Sequence, residues 1–88
     1  TTVTDRLVAR SEGPLEVSIQ WRLTGAKARL RRPAPDALVQ SSTAMLAASG
    51  VDEVRVNGHD IEQIVRRDVK VGDVITIVNV IAPAGREV

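Results

Sequence analysis

The chain has 88 residues, no cysteine and a single aromatic residue, Trp21. That length gives one domain of modest stability, and the missing thiol excludes disulfides, thiolate nucleophiles and cysteine-based metal sites together. Ten Arg and two Lys against eleven acidic residues leave a formal net charge of +1, too small a field to draw the protein to nucleic acid or anionic lipid.

Hydrophobic residues make up 43% and charged residues 26%, the composition of a folded domain rather than a disordered tail. Fourteen valines favour sheet, because β-branched side chains fit a pleated surface. No apolar run approaches membrane-spanning length and no signal-peptide pattern opens the chain, so a cytoplasmic protein without membrane association is expected.

Residues 1–14 are polar around Leu7, Val8 and Ala9 and end in the breaker pair Gly13-Pro14. They read as a flexible arm or an extra edge strand. From Leu15 the pattern sharpens: Leu15, Val17, Ile19, Trp21 and Leu23 alternate with polar residues, the period of a strand with one buried face. After Thr24-Gly25, the residues Ala26, Ala28 and Leu30 alternate with Lys27, Arg29 and Arg31. A two-residue hairpin turn would set Leu23 against Ala26, Trp21 against Ala28 and Ile19 against Leu30, all apolar pairs.

Pro33-Ala34-Pro35 stops that strand, and Asp36 fits a helix N-cap. Leu38, Val39, Met45 and Leu46 recur at helical spacing, and Gly50 sits where a C-terminal cap belongs. A helix of about three to four turns is predicted here. Val54-Arg55-Val56 is a short strand leading into an Asn57-Gly58 turn. Val71-Gly72-Asp73 is a second turn, and residues 74–81 are a nearly continuous apolar strand of the kind that sits inside a sheet. Pro83 ends it. Hairpin, helix, short strand and long last strand make an α+β domain over residues 15–82, with a flexible tail over 83–88.

Val54-Arg55-Val56-Asn57-Gly58, followed by Val71-Gly72-Asp73 and the last strand, resembles the β-grasp (ubiquitin-like) superfamily. The match is to its sulfur-carrier branch, which includes the small subunit of molybdopterin synthase. The opening hairpin is similar to that of ubiquitin-like proteins. The resemblance implies a mixed sheet of four to five strands with one helix packed across it. It also implies a small non-enzymatic protein that docks on a protein partner, an adenylating enzyme or a sulfur acceptor, as a sulfur carrier or protein modifier. In that family the tail ends in two glycines. Here it reads Ala84-Gly85 and continues to Val88, so carrier chemistry would require trimming of residues 86–88.

No catalytic residue, cofactor or metal site is expected. His59 and Asp60 are neighbours, but adjacent strand residues point to opposite faces and no nucleophile accompanies them. One histidine among scattered carboxylates makes no ligand set. Ser41-Ser42-Thr43 reads as a solvated helix face. Arg29, Arg31 and Arg32 form one basic cluster, and Arg66, Arg67 and Lys70 form another. If they converge they make a patch for RNA or an acidic partner, although no aromatic platform exists for stacking bases.

With Ile75 and Ile77 turned inward, Thr76, Val78 and Val80 point out, in position for a partner or for the N-terminal arm. Two other classes remain beside the docking protein. One is an RNA-binding module, because residues 41–58 and 69–77 also resemble the small fold of a ribosomal protein and pseudouridine synthases. That fold opens with a helix, where residues 15–30 read as a hairpin. The other is a scaffold subunit of a larger complex.

Overall fold

Every regular element of the computed structural model is a β-strand; residues 1–25 and 27–83 are described. Strands β1 (Thr2–Val8), β3 (Arg29–Arg32), β4 (Leu38–Gln40), β5 (Ala44–Ser49) and β8 (Val74–Pro83) form an antiparallel sheet of five strands, in the order β1-β8-β5-β4-β3. A second antiparallel sheet runs β2-β7-β6, from β2 (Gly13–Arg22), β7 (Asp60–Val69) and β6 (Glu53–Asn57). The two pack face to face as a β-sandwich. Ile75, Ile77 and Ala48 from the larger sheet meet Val65 and Val69 from the smaller one, with Leu15, Val17 and Ile19 packed against them.

The α+β β-grasp architecture is therefore overturned: no helix is present among the described residues, and two sheets replace one. The predicted helix is the β4–β5 hairpin. Ser41 N–H donates to the Ala44 carbonyl at 2.9 Å. The Ser41 hydroxyl accepts from the Ala44 and Thr43 amides at 3.1 and 3.3 Å and donates to the Thr24 carbonyl at 2.6 Å. A serine that satisfies the backbone in this way favours a turn over a helix. The alanines of β5 have little preference for sheet, but β5 lies between β4 and β8, and that pairing on both sides outweighs propensity. Gly50 caps no helix. With φ of 90° it turns the chain out of β5.

The predicted hairpin over residues 15–30 is also absent. β2 pairs with β7, setting Trp21 opposite Ile61, Ile19 opposite Gln63 and Val17 opposite Val65. β3 lies in the other sheet beside β4. A period-2 pattern fixes which face of a strand is buried, and says nothing about which strand lies beside it. The β6–β7 hairpin does turn at the Asn57-Gly58 sequence: Asn57 pairs with Asp60, leaving Gly58 and His59 as the loop. A φ of +66° at Gly58 suits this two-residue connection.

Residues 2–8 are the edge strand β1, paired with β8 from Thr2–Val80 to Val8–Val74. Ala9 continues the contact, accepting from Gly72 N–H and donating to the Asp73 carbonyl. β8 lies between β1 and β5 and is buried at Ile75, Ile77 and Asn79. Pro83, the start of the predicted tail, is the last residue of β8 and pairs with Ala44. Ala84 and Gly85 lie outside the described residues.

Candidate functional site

The outer faces of the two sheets differ in chemistry. On the smaller sheet, alternation sends Glu16, Ser18, Glu62, Arg66, Glu53 and Arg55 to the outside. There they join into one network. Arg66 Nε reaches Glu16 at 2.9 Å and its Nη2 reaches Glu53 at 2.9 Å. Arg55 pairs with Glu53 at 2.8 Å and with Glu62 at 3.7 Å, and Ser18 donates to Glu62 at 2.7 Å. Beneath it Ile64, opposite Ser18 and Glu53, is only 3% exposed, because long charged side chains cover apolar surface with their stems.

Ionisation follows this geometry. Hydrogen bonds from Arg55 and then Arg66 hold the Glu53 carboxyl below its ordinary value of 4.5. The Arg66 backbone N–H, followed by the Arg67 guanidinium, does the same for Asp52 below 3.8. The guanidiniums of Arg55 and Arg66 are raised in return, each chiefly by its bond to Glu53.

The larger sheet has no such covering at its centre. Thr76, Val78 and Val80 point outward from β8, and β1 extends the sheet in plane instead of lying over them. Across the strands Thr2, Val80 and Ala47 form one row and Thr4, Val78 and Ser49 the next. Val80 is 43% exposed. A shallow dent lies over Ala47, Ser49, Val78 and Val80, with Arg32 and Asp36 at its rim. Between Arg6 on β1 and Arg32 on β3, these rows hold no charged side chain.

The two basic clusters do not converge. Arg66 and Arg67 lie on β7 and are neutralised, Arg67 by the Asp52 carboxylate. Lys70 is in the β7–β8 turn, where its N–H donates to the Asp73 carboxylate at 2.8 Å. Arg29, Arg31 and Arg32 form β3, whose start is tied to the other end of β7 through Ala28 N–H donating to the Gly58 carbonyl. Arg66 lies six residues along β7 from Asp60, about 20 Å of strand. Lys27, Arg29 and Arg31 have no ion-pair partner among the described residues. Together with Gln40, Ser41 and Ser42 they line a polar groove that spans β3 and the end of β4. Reading the sequence alone missed Lys27 and Gln40, because Gln40 was assigned to a helix.

Asp60 accepts from Arg22 Nε at 3.1 Å, and His59 is exposed in the turn. No group of three or more His, Cys, Asp or Glu residues could hold a metal ion among the described residues. No helix among them is long and apolar enough to cross a membrane.

A buried polar group also escaped notice in the sequence. Gln63 and Asn79 are 1% and 0% exposed and exchange two amide hydrogen bonds between the sheets, at 2.6 and 3.1 Å. Trp21 Nε1 donates to the same Gln63 oxygen at 3.0 Å. Asn79 interrupts an apolar run and Gln63 falls on the inward phase between Ile61 and Val65, which was the available signal. Each side-chain nitrogen and oxygen here has a partner, so the group locks the sheets together rather than offering a site.

Sandwich and open sheet face define an all-β domain with one charge-laced side and one bare side. No family model, curated protein or solved structure matches the chain.

Proposed function

We propose that this is a non-enzymatic binding domain that docks on a protein partner through the outer face of its five-stranded sheet, centred on Val78 and Val80. The observation that carries the reading is the contrast between the two outer faces. The smaller sheet hides Ile64 under an ion-pair network, while the larger leaves Val80 exposed and Val78 half-exposed among hydroxyls and Ala47. Uncharged centres with polar rims are the anatomy of protein interfaces.

The rim selects the occupant. Arg6 and Arg32 flank the bare rows against one carboxylate, Asp36, so the rim is cationic on balance and a second copy laid face to face would bring mostly like charges together. A different protein, apolar at its centre and acidic at its rim, complements both features. The sulfur-carrier role was implied by a β-grasp scaffold that this chain does not have, and the proposal does not include it. Residence in the cytoplasm belongs to the proposal, with fractionation of the source cells as its check.

A photo-crosslinking residue placed at Val80, with a second placed at Ser18 as the control, tests the reading in the source cells. A discrete adduct from position 80 that disappears on adding Val78→Asp is the expected result. No adduct, the same adduct from position 18, or an adduct with a second copy of the chain would overturn it.

A further inference from the structure

We propose that the outer edge of β3 captures an acidic segment in extended conformation, adding it to the five-stranded sheet as a sixth strand. β3 is the end of the sheet and, among the described residues, pairs only with β4, so its other side presents unpaired backbone groups. An edge of this kind is a template for strand addition. Its side chains are unusual: Arg29, Arg31 and Arg32 surround Leu30, and Lys27 precedes them. Arginine and lysine on an edge normally repel further strands. They repel neutral and basic strands, and they select an acidic one.

The geometry favours a peptide over a nucleic acid. A register shift between Leu30 and Arg32 leaves Arg31 out of the regular β3–β4 pairing, yet Arg29 and Arg31 line the same groove, so both can meet carboxylates of an extended neighbour. Guanidinium groups hold carboxylates with two parallel hydrogen bonds. No acidic side chain lines the groove beside them, whereas Arg55, Arg66 and Arg67 are already occupied by carboxylates of this chain. Trp21, the one aromatic, is half-buried and bonded to Gln63, so the edge offers nothing on which bases could stack. The inference does not depend on the Val78–Val80 face, since β3 would take the segment by its edge.

The probe is a labelled ten-residue peptide alternating Glu with Thr and Val, titrated against the full chain at low and high salt. Its Lys-for-Glu counterpart and a ten-residue oligothymidylate serve as comparisons. Expected is saturable binding of the acidic peptide that weakens at least tenfold in the R29E/R31E variant, is unchanged in R10E, and declines with salt. Bound peptide should also slow hydrogen exchange at amides of residues 29–32. Absence of binding at low salt, equal binding by R29E/R31E, or tighter binding of the oligonucleotide would overturn the proposal. Binding without new protection at β3 would overturn it too, since the contact would then be charge alone. Circular dichroism of R29E/R31E separates lost binding from lost folding. If that variant is unfolded, R29Q/R31Q takes its place, with the same tenfold loss expected.

Discussion

Gln63 and Asn79 sit at the boundary between two apolar clusters. One contains Val65, Ile75 and Ile77, and the other contains Leu46 and Ile61 with Trp21 packed against it. Two buried amides that bond each other across the sheets fix how the sheets are laid together, because a slip leaves Asn79 and the Gln63 Nε2 unpaired in the core. Asn79→Leu should cost about 2–3 kcal/mol, since it strands the Gln63 amide. The double variant Gln63→Leu with Asn79→Leu should lose less than the two single losses added, a coupling that urea denaturation would read directly. Simple additivity would mean that the pair does not act as a unit. Gly50 makes a second residue-scale case. A Cβ there would fall 2.6 Å from the Thr76 carbonyl oxygen at a φ of +90°, so Gly50→Ala should destabilise by about 1–3 kcal/mol. At Gly58, where nothing lies within 4 Å of a Cβ and φ is +66°, Gly58→Asn should be nearly neutral. Comparing the two denaturation midpoints tests the contrast.

At the scale of elements, the sequence made strands legible where alternation was clean and partners illegible wherever they lie far away in the chain. Leu15, Val17, Ile19 and Trp21 do share a buried face, yet their neighbours come from β7, forty or more residues away. The Asn57-Gly58 turn could be read because a two-residue hairpin is a local object, encoded where it forms. β4 and β5 could not, because their alanine-rich pattern suits a helix until β8 arrives to pair with β5. Of the candidate site, the outward phase of Thr76, Val78 and Val80 was readable. What was not readable was that an ion-pair network would cover one sheet and leave the other bare, since Arg66 meets Glu16 only through β2–β7 pairing. That network has a pH signature. Asp52 and Glu53 are held below their ordinary values of 3.8 and 4.5. Their contribution is whole above those values and is lost as pH falls through the lowered folded ones. The melting temperature should therefore fall on acidification below 4.5, and fall less in the D52N/E53Q variant, which starts lower at pH 7. Equal drops in both proteins would assign the acid sensitivity elsewhere.

At the scale of the molecule, the first and last strands are joined by nested pairings, β1 with β8 outside β2 with β7. The Thr1 ammonium donates to the Ile81 carbonyl at 2.8 Å across a separation of 80 residues, and Ile81 N–H returns a bond to the Thr1 carbonyl. Contacts of that reach form only after a long loop has closed, which makes folding slow, on the order of milliseconds to seconds. Trp21 is a built-in reporter, because its half-buried ring and bond to Gln63 exist only once the sheets have met. Joining the two ends by a peptide bond would turn β8–β1 into a hairpin closed by the short stretch after Ile81. With closure entropy scaling as the logarithm of loop length, shrinking a loop from 80 residues to fewer than ten corresponds to about 2 kcal/mol. The cyclised protein should gain stability of that order in urea. If β1–β8 pairing is part of the folding transition state, its Trp21 fluorescence should also recover faster after dilution from denaturant. A gain in stability with unchanged refolding rate would place β1 docking after the barrier. Coincident denaturation curves would show that the β1–β8 ribbon is not what closes this fold.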